Sequence, residues 1–246
     1  MQLKDIHSQD VAVSQLQHAF AAGRTAHAYL FVGPDGVGKR TTARAFAKML
    51  LCHDRAKKQV KGEAFFDSCG KCHSCTLFEA DSHPDYKPIY KELVKYTKEG
   101  KNKTTPVDMP VDVIREFVID KVSNRPAESD FVVYVIDEAE KVNKSSQNSM
   151  LKVLEEPPGY CVLILLCSRI EEMLPTTRSR CQPIRFGPVE ESFLLEKLKP
   201  LPLNAGQALY WARFSEGSVG RALEWAGLDL GEASPTVYEI KNELLR

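Results

Sequence analysis

Continuous apolar runs and helical repeats of apolar positions alternate along most of the chain. Three runs of strand-forming residues predict strands that are buried on both faces, at 28–32, 131–136 and 161–167, and a shorter strand is predicted over 182–186. Apolar residues recur at helical spacing in the segments at 8–22, with Ser8 as the candidate N-cap, and at 42–51, 111–122 and 145–155. Strands that alternate with helices predict an α/β domain built on a parallel sheet.

The pattern changes after Gly187-Pro188, where no further strand is predicted. Apolar residues then keep helical spacing, with glycines between the segments, over 190–199, 204–215 and 217–227. We therefore expect an α/β domain over residues 1–187 and a small helical domain over 188–246. The last residues of the chain resemble the start of another helix.

A glycine-rich segment separates the first predicted strand from the helix that follows it. Gly33, Gly36 and Gly38 lead to Lys39 with the spacing G-x-x-x-x-G-K. Strand, glycine turn and helix are the context that a phosphate-binding loop needs, because the glycines let backbone N–H groups turn toward phosphate oxygens. The helix N-terminus and Lys39 add positive charge. The segment predicts a nucleotide-binding loop; a loop that only turns the chain is the alternative.

One position of the phosphate-loop pattern is not met. Arg40 stands where a Ser or Thr hydroxyl would hold Mg²⁺, and an arginine side chain has no lone pair to offer a metal ion. Thr41 is the next hydroxyl along the helix. We therefore expect that the loop holds ATP and Mg²⁺ poorly, if at all, and that hydrolysis is weak or absent.

Acidic residues follow the predicted central strand directly, in the order Asp137-Glu138-Ala-Glu140. The carboxyl ends of parallel strands border the crevice where ligands bind in open α/β sheets. An aspartate there can hold Mg²⁺, and the adjacent glutamate can orient a water for attack on the γ-phosphate. We predict these roles for Asp137 and Glu138, with a solvated strand end as the alternative. Ser168, at the end of the run 161–167, is either a phosphate sensor or a polar strand end.

Four cysteines have the spacing of a metal site. Cys69, Cys72 and Cys75 form two overlapping C-x-x-C steps, and Cys52 lies upstream of them across a polar loop. Short spacings let consecutive thiolates reach one tetrahedral ion, so we predict a structural Zn²⁺ in a module at about 52–80. His53 and His73 are alternative fourth ligands, and a set of reduced structural thiols is the alternative to a metal.

Composition excludes several classes of function. The 246 residues contain 33 Lys+Arg and 33 Asp+Glu, so the formal net charge of zero argues against a strongly basic nucleic-acid binder. Neither a transmembrane-length apolar stretch nor a signal pattern is present, so a cytoplasmic location without membrane contact is expected. In that compartment seven cysteines indicate metal binding or buried thiols. The lysine-rich segment 91–103 is predicted to be solvated surface, with contact to nucleic acid as the alternative.

Together these motifs resemble those of bacterial DNA polymerase III clamp-loader subunits, a family of AAA+ proteins. The resemblance covers about residues 1–225 and is carried, in chain order, by 27–31, 33–39, the four cysteines, His83-Pro-Asp85, 137–140, Leu154-Glu-Glu-Pro-Pro158, Ser179-Arg-Cys181 and Gly217-Ser-Val-Gly-Arg221. It implies a AAA+ P-loop NTPase fold, in which a parallel sheet is flanked by helices, carries an inserted zinc module and is followed by a small helical lid domain.

Two kinds of subunit occur in this family: gamma/tau motors that hydrolyse ATP, and delta-prime subunits that act as rigid stators with poor ATPase activity. Asp137-Glu-Ala-Glu140 and Arg40 are more similar to the delta-prime kind. The resemblance implies a ring with gamma/tau and delta that loads the sliding clamp onto primed DNA, as an accessory part of the polymerase holoenzyme. It also implies that Arg180 is an arginine finger for a neighbour's ATP and that Arg221 is the second nucleotide sensor. A surface ion pair is the alternative for Arg180.

The chain departs from the family in two ways. The segment 91–103 is longer than the resemblance implies, and by the same resemblance we expect these 246 residues to lack most of the helical collar domain that joins the subunits. Three other functions compete with the delta-prime interpretation: a gamma/tau motor, an autonomous P-loop ATPase stimulated by DNA, and a zinc-dependent interaction module with an inactive nucleotide loop. ATP-binding and DNA-stimulated turnover measurements discriminate among them.

Overall fold

The structure is a computed structural model that describes residues 1–60, 63–98 and 108–229. Its strands are β1 (Ala28–Val32), β2 (Ala56–Val60), β3 (Glu63–Asp67), β4 (Tyr86–Ile89), β5 (Val132–Ile136), β6 (Cys161–Cys167) and β7 (Gln182–Arg185). Five of them form a parallel sheet in the order β4-β5-β6-β1-β7, while β2 and β3 form an antiparallel hairpin. The predicted α/β fold with a parallel sheet is confirmed.

The α-helices are α1 (Asp10–Ala21), α2 (Lys39–Leu51), α3 (His73–Glu79), α4 (Val111–Ile114), α5 (Lys144–Glu155), α6 (Pro175–Arg178), α7 (Glu191–Leu198), α8 (Ala205–Phe214) and α9 (Val219–Asp229). The helix predicted over 111–122 keeps α geometry only to Ile114 and continues as a π-helical turn over Arg115–Ile119. Across the described ranges, no helix combines the length and apolarity needed to cross a bilayer.

The sequence expectation for Ser8 is wrong. Ser8 has a left-handed backbone with φ of 59°, and α1 begins only at Asp10. The Ser8 hydroxyl instead accepts a hydrogen bond from the backbone N–H of Glu190 at 3.3 Å. The serine therefore binds a backbone group from another part of the chain rather than the first turn of α1.

Helices cover both faces of the sheet because the central strands are apolar on both faces. Along β1, Tyr29 meets Phe46 of α2 edge to face, with ring centroids 5.6 Å apart. Leu30 points to the other face and belongs to a buried cluster with Ile114 and Leu154, which come from α4 and α5. Burying each such side chain fully contributes about 1.5–3 kcal/mol. The buried sheet therefore fixes where the loops at its edge lie.

The segment between Cys52 and Cys69 is not the polar loop that the sequence indicated, because it contains the β2–β3 hairpin. The side-chain amide of Gln17 in α1 pairs with the backbone of β3, as a neighbouring strand would. Its side chain donates to the carbonyl of Phe66 at 2.8 Å and accepts from the Phe66 N–H at 2.7 Å. The Phe66 ring also packs edge to face on Phe20 at 5.1 Å. These contacts with α1 stabilise a hairpin whose own sequence is largely polar.

The chain folds into two compact units. The first comprises Met1–Ile6, Asp10–Gly33 and Lys39–Arg185 and contains the sheet. The second comprises His7–Gln9, Pro34–Gly38 and the chain from Phe186 onward. In the second unit α7, α8 and α9 pack together around a set of buried side chains, Leu194, Leu198, Trp211, Ala212, Ala222 and Ala226.

The proposed domain boundary between 187 and 188 stays a prediction. Two sequence expectations lie outside the described residues. They are the end of the lysine-rich segment, from 99 to 103, and the last part of the helical domain, from 230 to 246.

Candidate functional site

The glycine segment connects β1 to α2 through a turn that includes two glycines with positive φ. The N–H of Gly33 donates to the carbonyl of Cys167 at 3.2 Å, which ties the end of β1 to β6. Gly36 and Gly38 have φ values of 75° and 102°. Residues with a Cβ adopt these angles only at a cost, so the glycines are required by the turn itself.

Lys39 lies at the start of α2 and is buried, with 7% of the residue exposed. Its ammonium group donates to the carbonyl of Gly33 at 2.5 Å and to the hydroxyl of Ser168 at 3.0 Å. The fold therefore brings the lysine of the loop together with the serine at the tip of β6. The phosphate-sensor role of Ser168 and the alternative of a polar strand end both stay predictions.

Glu140 is a residue of this site for which the sequence argument gave no role. Its Oε1 accepts a hydrogen bond from the backbone N–H of Ser168 at 3.2 Å, so it positions that serine beside Lys39. In the sequence, Glu140 is visible only as the last acidic residue of Asp137-Glu-Ala-Glu140. Pairing between β5 and β6 is needed to show which neighbour that carboxylate meets.

Arg40 and Asp137 form an ion pair with each other. The Arg40 side chain is 73% exposed and that of Asp137 is 20% exposed, so the pair lies at the rim of the site. These are the two positions that would supply a hydroxyl and a carboxylate to Mg²⁺. The usual Mg²⁺ ligand set does not fit, because one position has no lone pair and the other already binds a cation. Thr41 is exposed on the first turn of α2.

Glu138 is held by two lysines. It has a left-handed backbone, with φ of 46°, and its carboxylate pairs with Lys91 at 3.0 Å and with Lys141. Burial alone would raise the pKa of Glu138, but the hydrogen bonds from Lys141 and Lys91 outweigh it and hold the pKa below its usual value. The predicted water-orienting carboxylate is therefore ionised and already bound by cations of the chain.

In the second unit, Gly36 lies against the first turn of α9. Its carbonyl accepts from the N–H of Val219 at 3.0 Å, and a Cβ on Gly36 would lie 2.2 Å from the hydroxyl of Ser218. Arg221 is on that same turn; its N–H donates to Ser218 at 3.2 Å and its guanidinium lies 5.9 Å from the centroid of the Trp225 ring. The close approach explains why residue 36 is a glycine.

Arg180 lies between α6 and β7. Its guanidinium pairs with Glu155 at 2.6 Å and donates to the carbonyl of Thr176 at 2.8 Å. In the single chain, Arg180 thus forms an ion pair with a carboxylate, as the alternative to the finger role expected. Glu155 belongs to Leu154-Glu-Glu-Pro-Pro158, so the ion pair joins two of the motifs that carry the family resemblance. The finger role in a neighbouring site stays a prediction.

The four predicted cysteines converge. The sulfurs of Cys52, Cys69, Cys72 and Cys75 all lie within 4.8 Å of one another, and those of Cys52 and Cys72 are 3.8 Å apart. Thiolates bound to one tetrahedral Zn²⁺ at about 2.3 Å lie about 3.8 Å apart, so the donor set fits that ion. The alternative ligands His53 and His73 instead face Glu128, at 3.6 and 3.9 Å.

Backbone amides already point at the sulfurs of the cluster. The N–H of Cys69 donates to the sulfur of Cys52, and the N–H of Cys72 donates to the sulfur of Cys69, both at 3.3 Å. Burial alone would raise the pKa of Cys72, but hydrogen bonds from the backbone of Cys75 and His53 lower it to about 6. Cys72 therefore favours the thiolate, the form that binds metal.

On other thiols of the chain burial outweighs the hydrogen bonds. It raises the pKa of Cys52 and Cys75, so these two cluster residues need the charge of a metal ion to become thiolates. It also raises the pKa of the three cysteines outside the cluster, Cys161, Cys167 and Cys181, to about 12. Those three are buried packing residues, in contrast to the four that converge.

Comparison with solved structures concerns the fold of the chain. The chain is similar to RuvB of Thermotoga maritima, a Holliday junction branch migration motor, with a TM-score of 0.53 and 14% identity over 92% of this chain and 63% of that one. At this identity the likeness concerns the fold alone. The chain therefore has a AAA+ fold, with the loop that carries Lys39 between β1 and α2.

The family follows from the sequence comparisons. A family model described as "DNA polymerase III, delta subunit" matches residues 8–190. The chain is 33% identical to DNA polymerase III subunit delta' of Pseudomonas aeruginosa over 81% of this chain and 51% of that protein. It is 31% identical to the gamma subunit of Buchnera aphidicola over 82% of this chain and 50% of that protein. It is also 31% identical to subunit delta' of Escherichia coli, over 92% of this chain and 62% of that protein. The chain belongs to the DNA polymerase III clamp-loader subunit family, and it spans about half the length of the first two relatives.

Proposed function

We propose that this chain is a delta-prime type subunit of the clamp loader, a stator that supports ATP-driven loading of the sliding clamp onto primed DNA. The observation that carries the proposal is the Arg40–Asp137 ion pair, which occupies both positions of the Mg²⁺ ligand set. Such a loop is poorly suited to hydrolysis, because Mg²⁺ bridging the β- and γ-phosphates stabilises the transition state. A loader subunit without its own turnover fits a stator better than a motor.

In this proposal Arg180 acts on a nucleotide that a neighbouring gamma/tau subunit holds. An arginine supplied in trans meets the charge that develops on the γ-phosphate, and such fingers contribute about 10³–10⁵ in rate. Partial exposure of the guanidinium supports this role, since 33% of the side chain faces solvent. Gly33, Gly36, Gly38, Lys39 and Arg221 form the chain's own nucleotide loop and sensor.

The remaining parts of the proposal concern metal, partners and location. Cys52, Cys69, Cys72 and Cys75 hold one structural Zn²⁺, supported by the convergence of their sulfurs. The partners are gamma/tau and delta in a ring, and the complex works in the cytoplasm. Residues 1–187 are the AAA+ domain and residues from 188 onward the helical lid domain. A gamma/tau motor is the second candidate, because relatives of both kinds match the chain.

Replacing Arg180 with alanine in a reconstituted loader tests the finger. We expect the variant to assemble and load clamps slowly, because ATP turnover by the neighbouring motor falls with clamp and primed DNA present. Arg180→Lys should rescue poorly, since an ammonium lacks the planar fork. Arg178→Ala is the matched control, because Arg178 is an exposed arginine two residues away. Normal turnover with Arg180→Ala would show that the finger assignment is wrong.

A further inference from the structure

The carboxylates that follow β5 are all engaged by groups of the chain. Asp137 pairs with Arg40, Glu138 pairs with Lys91 and Lys141, and Oε1 of Glu140 accepts from the N–H of Ser168. The second oxygen of Glu140 is buried, so a hydrated ion in solvent does not reach it. A divalent cation at this edge would therefore have to displace a bound cation of the protein.

The guanidinium of Arg40 is suited to the position it occupies. Arginine carries five N–H donors in a planar fork that matches phosphate oxygens, and it remains charged at every physiological pH. Asp137 engages one terminal nitrogen of the fork, and 73% of the Arg40 side chain remains exposed to solvent. Asp137 thus holds the guanidinium of Arg40, which directly follows Lys39 in the first turn of α2. Two fixed cations in sequence can meet a polyphosphate without a metal ion.

We propose that this chain binds the phosphates of nucleoside di- and triphosphates without a divalent metal, with the Arg40 guanidinium held by Asp137 in the place that Mg²⁺ would take. The inference deepens the proposed function by naming the ligand state of its nucleotide loop, and it rests on that loop being a phosphate site. Free nucleotide, with its higher negative charge, is the preferred ligand. The Mg²⁺ complex carries less charge to meet Lys39 and Arg40, and its metal finds no open carboxylate among the described residues that follow β5.

Titration calorimetry of the full chain with ADP and with ATP tests the inference, in buffer containing either EDTA or excess Mg²⁺. We expect the dissociation constant in EDTA to equal that in Mg²⁺ to within about threefold, or to be lower. Arg40→Thr, which restores the hydroxyl and frees Asp137, should weaken binding in EDTA by about tenfold or more and make binding depend on Mg²⁺. Lys39→Ala should abolish binding in both buffers.

Arg169→Ala is the matched control for the loss of one positive charge near the site. Arg169 follows Ser168 directly, is 60% exposed, and pairs with Glu172 at 2.6 Å rather than with Asp137. This variant should bind as the unaltered chain does. Binding that needs Mg²⁺ by tenfold or more in the unaltered chain would overturn the inference, and so would the absence of binding in both buffers. The Arg180 experiment measures ATP turnover by a neighbouring subunit, whereas calorimetry measures nucleotide binding by this chain. Either proposal can therefore fail while the other stands.

Discussion

At the scale of single residues, His83 and Asp85 connect the cysteine cluster to the sheet. His83 Nδ1 accepts from the N–H of Asp85 at 3.1 Å, and its Nε2 lies 3.0 Å from the hydroxyl of Ser74. Ser74 donates its own proton to the carbonyl of Leu51, so it accepts one from His83. Burial lowers the pKa of His83, which favours the neutral ring that this network requires. Leu51 and Ser74 are each adjacent to a cysteine of the cluster.

Asp85 gives a direct test of how much this network contributes to stability. The residue is 3% exposed, and its carboxylate accepts three backbone N–H groups at 2.7–2.9 Å, from Ala127, Glu128 and Ser129. Asp85→Asn keeps the shape but removes the charge and one acceptor. We expect a loss of about 2–3 kcal/mol in the free energy of unfolding, measured by urea denaturation.

Asp130→Asn is the control for this substitution. The Asp130 side chain is 80% exposed and contacts Arg55 only at 3.5 Å, so its contribution should be below about 1 kcal/mol. Equal losses for the two variants would show that the backbone contacts of Asp85 do not govern stability here.

At the scale of elements, the cysteine cluster joins the end of α2 to α3 and is tied to the start of the chain. Asp67 at the end of β3 accepts from the backbone N–H groups of Leu3 and Lys4 at 3.1 and 3.2 Å. Lys48 of α2 pairs with Glu79 of α3. These cross-links add polar contacts to the packing that holds the short elements around the cluster.

Metal removal should therefore loosen these elements and leave the sheet intact. We expect freshly purified protein to contain one zinc per chain, and Cys69→Ser to lose it, because three thiolates bind Zn²⁺ less tightly than four. Hydrogen exchange should then accelerate in α3 and the β2–β3 hairpin while β5 and β6 stay protected. Cys161→Ala, at a buried thiol of β6 outside the cluster, should keep the metal. Zinc-free protein from an unchelated preparation would contradict the assignment.

The sequence predicted those elements that depend on residues close together in the chain. Strands β5 and β6 are continuous apolar runs, and the cysteine spacing itself indicated four ligands of one ion. The hairpin was missed because Ala56–Val60 is polar and because its stability comes from Gln17, which lies 49 residues before its partner Phe66. The partners of Arg40 and Glu138 were missed for the same reason: only the paired strands bring Asp137 to Arg40 and Lys91 to Glu138.

At the scale of the whole molecule, the equal numbers of basic and acidic residues are reflected in the ion pairs of α2. Arg40, Arg44 and Lys48 lie one turn apart, and each has a carboxylate partner: Asp137, Asp81 and Glu79. Each basic residue of this stripe therefore has a carboxylate partner within the chain. This agrees with a formal net charge of zero and gives no support to direct nucleic-acid binding through α2.

The chain on its own should turn over ATP far more slowly than a working motor, which has a rate of about 1 s⁻¹ or more. The physical reason is that Arg40 and Asp137 bind each other where a metal would act. Lys39→Ala is the control: it should give the same residual rate, which then reports contaminating ATPase. DNA-stimulated turnover at a motor's rate by the isolated chain would favour an autonomous ATPase instead.

Under the proposed finger role, the contacts of Arg180 have a consequence for how subunits associate. A free arginine side chain samples many rotamers, and about 2 kcal/mol of conformational entropy is lost when it is fixed. Glu155 and the carbonyl of Thr176 already restrict the Arg180 side chain. Its conformational entropy is therefore lost when the chain folds and not when a partner binds. Glu155→Gln should keep the Arg180 guanidinium in the chain but weaken its restraint, so that complexes dissociate faster. The same change at exposed Glu156 should leave the dissociation rate unchanged.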